Sequence, residues 1–267
     1  QRNQSTSKTT AKGGKTVGFL SAKGGCGATT LACHSALDIA RFTGKDALLA
    51  DMAFASGLVR VMMQSRSRYS VLDALQNMQR MDPSFWRGLV SNGTPGVEVI
   101  AGTPSEVCRE LPTGTDIRHL LKFIRSQYEW SVIDLGHGLE PHTLAAIEEL
   151  DHLILVATLE MPALHQAKTV FRYVSEAGYS KDKVLLVLNR MPRRGEISVT
   201  DIENVLSSAV YCTIPNDYRA LESAYSSGRL LTDDHPLRQS IGQIAAKLTG
   251  VQPEEKKKKF SLFGFAV

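Results

Sequence analysis

The apolar run from Thr16 to Ser21 leads without a break into Ala22-Lys23-Gly24-Gly25-Cys26-Gly27-Ala28, and a helical pattern opens at Thr29 and Thr30. Strand, glycine-rich turn and helix in immediate succession is a demanding arrangement. It turns several backbone N–H groups toward one point and delivers that point to a helix N-terminus, where phosphate oxygens bind. Gly24, Gly25 and Gly27 let the backbone close on such a ligand. Thr29 stands where a phosphate-loop hydroxyl ligates Mg²⁺.

Strand-length apolar runs follow at 16–21, 47–51, 97–101, 130–135, 152–158, 184–189 and 210–214. Most are continuous rather than alternating, as in strands covered on both faces. Helical patterns lie between them at 29–42, 71–78, 116–126, 141–150, 162–177, 199–207, 218–226 and 236–248. The alternation predicts an α/β fold with a doubly wound, mainly parallel sheet and helices on both faces. Residues 1–15 are polar, without periodicity, and read as a flexible linker; 16–250 read as one domain and 251–267 as a basic, apolar tail. A chain opening on a linker without an initiator methionine is expected to be a piece of something longer, with a domain before it.

Charge is distributed unevenly. The net charge is +4, but residues 1–15 carry four cations and no acid, and 254–259 add a net +2, so the body is left near −2. That argues against a nucleic-acid-binding face, and nucleic acid is not an expected partner. Cys26, Cys33, Cys108 and Cys212 form no Cys-x-x-Cys pair, so neither a zinc site nor a disulfide framework is expected, and a reducing cytoplasm is the simplest setting. No apolar run approaches the roughly 20 residues of a membrane span.

The loop departs from the usual G-x-x-x-x-G-K-[ST] pattern, because Ala28 stands where a phosphate-binding lysine belongs and a lysine appears early, in Lys23-Gly24-Gly25. This arrangement resembles the deviant Walker A motif of the ParA/MinD family, K-G-G-x-G-K-[ST]-[ST]. The resemblance runs from Thr16 to about Thr249. It implies a P-loop NTPase fold of the SIMIBI/ParA-like kind, binding ATP or ADP with Mg²⁺. It implies a homodimer sandwiching the nucleotide, with Lys23 reaching the partner's phosphates. Asp51 matches the first aspartate of the family's D-x-D switch motif, whereas the second position is Ala53. Asp134, within WSVIDLG (Trp130–Gly136), matches Walker B and would hold the metal beside Thr29 and Asp51. Asn189 matches the adenine-reading asparagine, and Pro215, Asn216 and Asp217 the segment closing over the base. The resemblance thus gives Gly24, Gly25, Cys26, Gly27, Ala28, Thr29 and Thr30 to the phosphates, and catalytic roles to Lys23, Asp51 and Asp134.

Within the family, G-x-G-A-[ST]-T with I-P-N-D looks most like the CpaE/TadZ proteins that localise type IV (Flp/Tad) pilus assembly. The expected function is therefore an ATP-binding, dimerising protein that positions pilus or secretion machinery. Its site would be cytoplasmic, polar or peripheral at the inner membrane face. Loss of one charged phosphate contact at Ala28 is expected to weaken nucleotide binding roughly tenfold to a hundredfold. With Ala53 it implies slow hydrolysis or none. The alternative is a DNA-segregation or division-site positioning ATPase. A reductase component on the same scaffold would need paired cysteines, which are missing. His137, directly after Trp130–Gly136, reads either as a histidine approaching the γ-phosphate or as a loop histidine packed on its neighbours. The tail 256–267, four lysines followed by Phe260 and further apolar residues, suits either an anionic membrane surface or docking on a partner.

Overall fold

The computed structural model describes residues 13–102, 111–194 and 197–251. Eight strands form one sheet: β1 (Lys15–Ser21), β2 (Ala47–Asp51), β3 (Ser91–Thr94), β4 (Val97–Ile100), β5 (Trp130–His137), β6 (His152–Ala157), β7 (Val184–Met191) and β8 (Val210–Pro215). Their order is β3-β4-β2-β5-β1-β6-β7-β8, and every neighbouring pair is parallel except the edge hairpin β3–β4. The chain winds to one side of β1 through β2 and to the other through β6. Beyond the carboxyl end of β1 lies the topological switch point where open α/β sheets bind ligands.

All seven sequence-read strands are present, and their continuous apolar runs have the predicted cause. Along β1, Val17 and Phe19 enter one core layer while Leu20 enters the other. The first layer is closed by α1 (Ala28–Thr43) and α10 (Pro236–Thr249), through Leu31, Ala36, Ile39, Ile241 and Ile244. The second is closed by α3 (Val71–Gln76), α4 (Pro83–Leu89), α5 (Gly114–Gln127), α6 (Pro141–Glu148), α7 (Met161–Glu176) and α8 (Val199–Leu206). Two further helices, α2 (Val59–Met62) and α9 (Tyr218–Ser226), flank the loop end of the sheet. No helix among the described residues is long and apolar enough to cross a membrane.

The differences have local causes. β1 opens at Lys15, inside the stretch read as linker, because Lys15 already pairs with Trp130 of β5. β3 has the sequence SNGT, too polar and short to read as a strand, and exists by pairing with β4. α4 was legible but unread: Asp82 caps it by accepting from the N–H groups of Ser84 and Phe85, both at 2.8 Å, and Pro83 takes its first position. Cys108, residues 1–12 of the linker and residues 252–267 of the tail lie outside the described residues.

α1 is fastened from behind by buried polar groups. His34 Nδ1 lies 2.8 Å from the Thr30 carbonyl, and its Nε2 accepts the Leu231 N–H at 3.3 Å. Since Nε2 accepts, the ring is neutral and Nδ1–H donates. Burial lowers the His34 pKa from 6.5 to about 4. A histidine depressed in the folded state contributes stability that is complete above its unfolded pKa and fades as pH falls from about 6.5 to about 4. At roughly 1.4 kcal/mol per pH unit the loss reaches about 3 kcal/mol. Urea midpoints at pH 7 and pH 4.5 are expected to converge on a smaller acid loss in His34→Gln than in the parent. Equal losses would contradict the assignment.

Candidate phosphate-binding site

The turn after β1 is held on both sides. The Ala22 N–H donates to the Val156 carbonyl of β6 at 2.8 Å, and the Cys26 N–H closes onto Lys23 O at 3.2 Å. Gly25 and Gly27 have φ of 88° and 96°, in the left-handed region that side chains disfavour. Gly27 is also crowded: a Cβ there would lie 2.6 Å from Asn189 Nδ2. Asn189 uses that nitrogen to donate to the Cys26 carbonyl at 2.8 Å, so the end of β7 pins the turn. α1 then starts at Ala28, whose N–H donates to Ser21 Oγ at 3.4 Å, and its first turn carries no acidic residue.

This floor opens into a cavity of about 500 Å³. Gly24, Gly25, Gly27, Ala28, Thr29 and Thr30 form its base. Ala53, Ser56, Leu58, Val61 and Met62 form one wall, and Arg190, Tyr225, Gly228 and Arg229 the other. His137 lines the cavity beside Gly136. Cys26 is buried beneath the turn, with its Sγ 3.9 Å from Thr158 Oγ1. Asn189, Pro215, Asn216 and Asp217 border a separate recess of about 40 Å³ that shares Gly27, Thr30 and Arg190 with the main cavity.

Two carboxylates lie behind the floor. Asp51 ends β2 and pairs in register with Asp134 on β5; both are 0% exposed. Burial, then the Asp134 charge, raises the Asp51 pKa to about 7, against the pull of the Ala53, Val59 and Gly102 N–H groups. Its Oδ1 accepts from Ala53 N–H at 3.0 Å and its Oδ2 from Val59 N–H at 3.2 Å. Asp51 thus fastens the 52–59 loop and is not part of the cavity lining. Gly57 and Gly102 permit this, since a Cβ on either would meet the Asp51 carboxylate at 2.4 and 3.0 Å. Burial likewise raises Asp134, opposed by the Thr29 hydroxyl and the Gly136 N–H. Its Oδ1 accepts from Gly136 N–H at 3.2 Å, but its buried Oδ2 has no hydrogen-bond partner.

An orphaned carboxylate oxygen behind a threonine hydroxyl at a phosphate turn fits Mg²⁺ held partly through water. Mg²⁺ is commonly bound by one or two protein oxygens plus substrate phosphates. No cluster of three or more His, Cys, Asp or Glu side chains suited to a metal occurs among the described residues. Lys23 lies elsewhere. Its side chain is 40% exposed, its Nζ is 3.1 Å from Glu160 Oε2, and it is absent from the cavity lining.

No family model matches the chain. An uncharacterized ATP-binding protein of Methanocaldococcus jannaschii is 30% identical over 248 residues, covering 91% of this chain and 90% of the relative. The chain belongs to the ParA/MinD-type family of P-loop ATPases. Solved structures of the family share its fold. A ParA family ATPase from Chlorobium tepidum superposes with a TM-score of 0.81 at 22% identity, covering 88% of this chain and 99% of the other. The septum site-determining protein MinD of Pyrococcus horikoshii, complexed with Mg-ADP, superposes with a TM-score of 0.74 at 18% identity, covering 90% and 99%.

Sequence reasoning found the floor of the site but missed Leu58, Val61, Met62, Arg190, Tyr225, Gly228 and Arg229 on its walls. Only Arg190 carried a signal, as a cation directly after the asparagine that ends a strand.

Proposed function

We propose that this chain is a nucleotide-dependent, dimerising positioning protein, in which ATP and Mg²⁺ favour pairing and the pair places components of a type IV (Flp/Tad) pilus or secretion machinery. The observation that carries the nucleotide part is the unpaired Asp134 Oδ2 behind Thr29, at a glycine turn that lines the cavity floor. Gly24, Gly25, Cys26, Gly27, Ala28, Thr29 and Thr30 would cradle the phosphates. Thr29 and Asp134 would hold Mg²⁺, with Asp51 setting the switch loop near it. Asn189, Pro215, Asn216 and Asp217 would bound the base. The ATP-binding relative and the Mg-ADP complex of a structural neighbour support this ligand pair.

Hydrolysis is slow or absent in this reading. Phosphoryl transfer needs stabilised charge and a positioned water. The floor offers no lysine at position 28, and Ala53 gives the wall a methyl group where a Cβ on Gly136 would meet it at 2.8 Å. Asp51 has both oxygens committed to backbone donors. The pilus assignment rests on the loop and I-P-N-D resemblance; division-site positioning is the second reading, favoured by the septum site-determining neighbour.

Sedimentation of the full chain with Mg-ATP is expected to shift from one copy to two, with phosphate release near background. An unshifted boundary removes the pairing claim. Rapid phosphate release that Asp51→Ala abolishes removes the slow-hydrolysis claim. A fluorescent fusion gathering at division sites rather than at pilus bases would select the second reading.

A further inference from the structure

We propose that Arg190 and Arg229 supply the cationic phosphate contacts that the loop lacks at Ala28. The inference rests on the nucleotide reading of the cavity and names what completes it.

The floor of the cavity carries no lysine, and the one lysine of the turn is paired with Glu160 outside it. Among the described residues no aspartate or glutamate lines the cavity, yet two arginines, Arg190 and Arg229, do. Arginines that bridge elements have structural partners: Arg238 and Arg41 hold Asp38, Arg125 holds Asp151, and Arg118 holds Glu148, whereas Arg190 and Arg229 are exposed. Arg190 and Arg229 make no ion pair among the described residues. A cavity that collects two unpaired cations and excludes acids suits a polyanion, and a planar guanidinium matches phosphate oxygens two at a time.

Each arginine is set by groups already tied to the phosphate turn. Arg190 has φ of 56°, a left-handed conformation costly for a residue with a side chain. Its N–H donates to Asn189 Oδ1 at 2.9 Å, while Asn189 Nδ2 holds the Cys26 carbonyl. One asparagine therefore fixes both the turn and the arginine that borders it. Arg190 borders both the main cavity and the smaller recess, which places it at the junction of the phosphate and base ends. Arg229 follows Gly228, whose φ is 63°, and its N–H donates to Ala224 O at 2.9 Å. Two residues on, the Leu231 N–H is held by His34 of α1, so the arm carrying Arg229 is fastened to the helix that opens the floor.

The test is calorimetric titration of Mg-ATP and Mg-ADP into the parent chain, Arg190→Ala, Arg229→Ala, the double variant, Arg190→Lys, and the double variant carrying Ala28→Lys. Each alanine variant is expected to lose roughly tenfold or more in affinity, the range of one charge-assisted hydrogen bond. The double variant should lose more, with a shallower dependence of affinity on salt. Arg190→Lys should recover part of the loss, and Ala28→Lys should restore binding to the double variant by returning a cation to the floor. Unchanged thermal melting shows that the variants are folded. A parent that binds nucleotide while the double variant binds it equally well, with the same salt dependence, overturns this proposal and leaves the nucleotide reading standing. A folded parent that binds neither nucleotide overturns both.

Discussion

Gly27→Val is expected to reduce Mg-ATP affinity by at least on the order of a hundredfold. Two costs meet at one backbone position. Gly27 sits at φ 96°, where a β-branched residue is strained by about 1–3 kcal/mol. Its Cβ would also stand 2.6 Å from Asn189 Nδ2. Either the turn or Asn189 must move. If Asn189 moves, the Cys26 carbonyl loses its donor, and a buried unpaired carbonyl costs about a further 1–3 kcal/mol. If the turn moves, its amides no longer converge with the α1 N-terminus. Titration of the variant and the parent measures the effect, and melting curves separate it from unfolding. A Gly27→Val protein that binds as the parent does would mean that the turn is not the phosphate cradle.

Asp38→Ala is expected to cost about 3–5 kcal/mol of stability, the magnitude seen when one partner of a buried ion pair is removed. Asp38 and Arg238 are 0% and 3% exposed, and both guanidinium Nη atoms of Arg238 engage the carboxylate, one of them at 2.8 Å. Removing Asp38 leaves that charge buried between α1 and α10, with Asp233 Oδ1 at 3.7 Å as its remaining ion-pair partner among the described residues. For a chain of this size the melting temperature should fall on the order of 10 °C. Replacing both residues together with methionine should recover much of the loss, since apolar substitutes for whole buried pairs are often close to neutral. Urea unfolding of the single and double variants checks both statements; equal losses would show that packing, rather than the stranded charge, sets the cost.

The sheet was legible because parallel strands covered on both faces read as unbroken apolar runs, as in 152–158 and 184–189. β3 was not, because its four polar residues are a strand only by pairing with β4. The floor of the site was legible for a related reason, since consecutive residues build it and glycine spacing reports backbone conformation. The walls were not. Leu58 and Val61 reach the cavity only because Asp51 draws the loop inward through the Ala53 and Val59 amides. That closure depends on Gly57 and Gly102, more than forty residues apart. The sequence also placed Asp51 at a strand end without revealing where its oxygens point. Lys23 shows the converse: its position in the motif was plain, and its contact with Glu160 required the start of α7 to be brought beside the turn.

In the proposed reading this cavity takes a nucleotide, and Thr29 and Asp134 would hold Mg²⁺ beside its phosphates. Titrating ATP into the full chain with and without Mg²⁺ tests it most directly, with Asp134→Asn run in parallel. The expected result is one nucleotide per chain, with affinity raised by Mg²⁺ in the parent and indifferent to it in Asp134→Asn. ATP binding unaffected by Mg²⁺ in the parent, or no binding at all, would contradict the account.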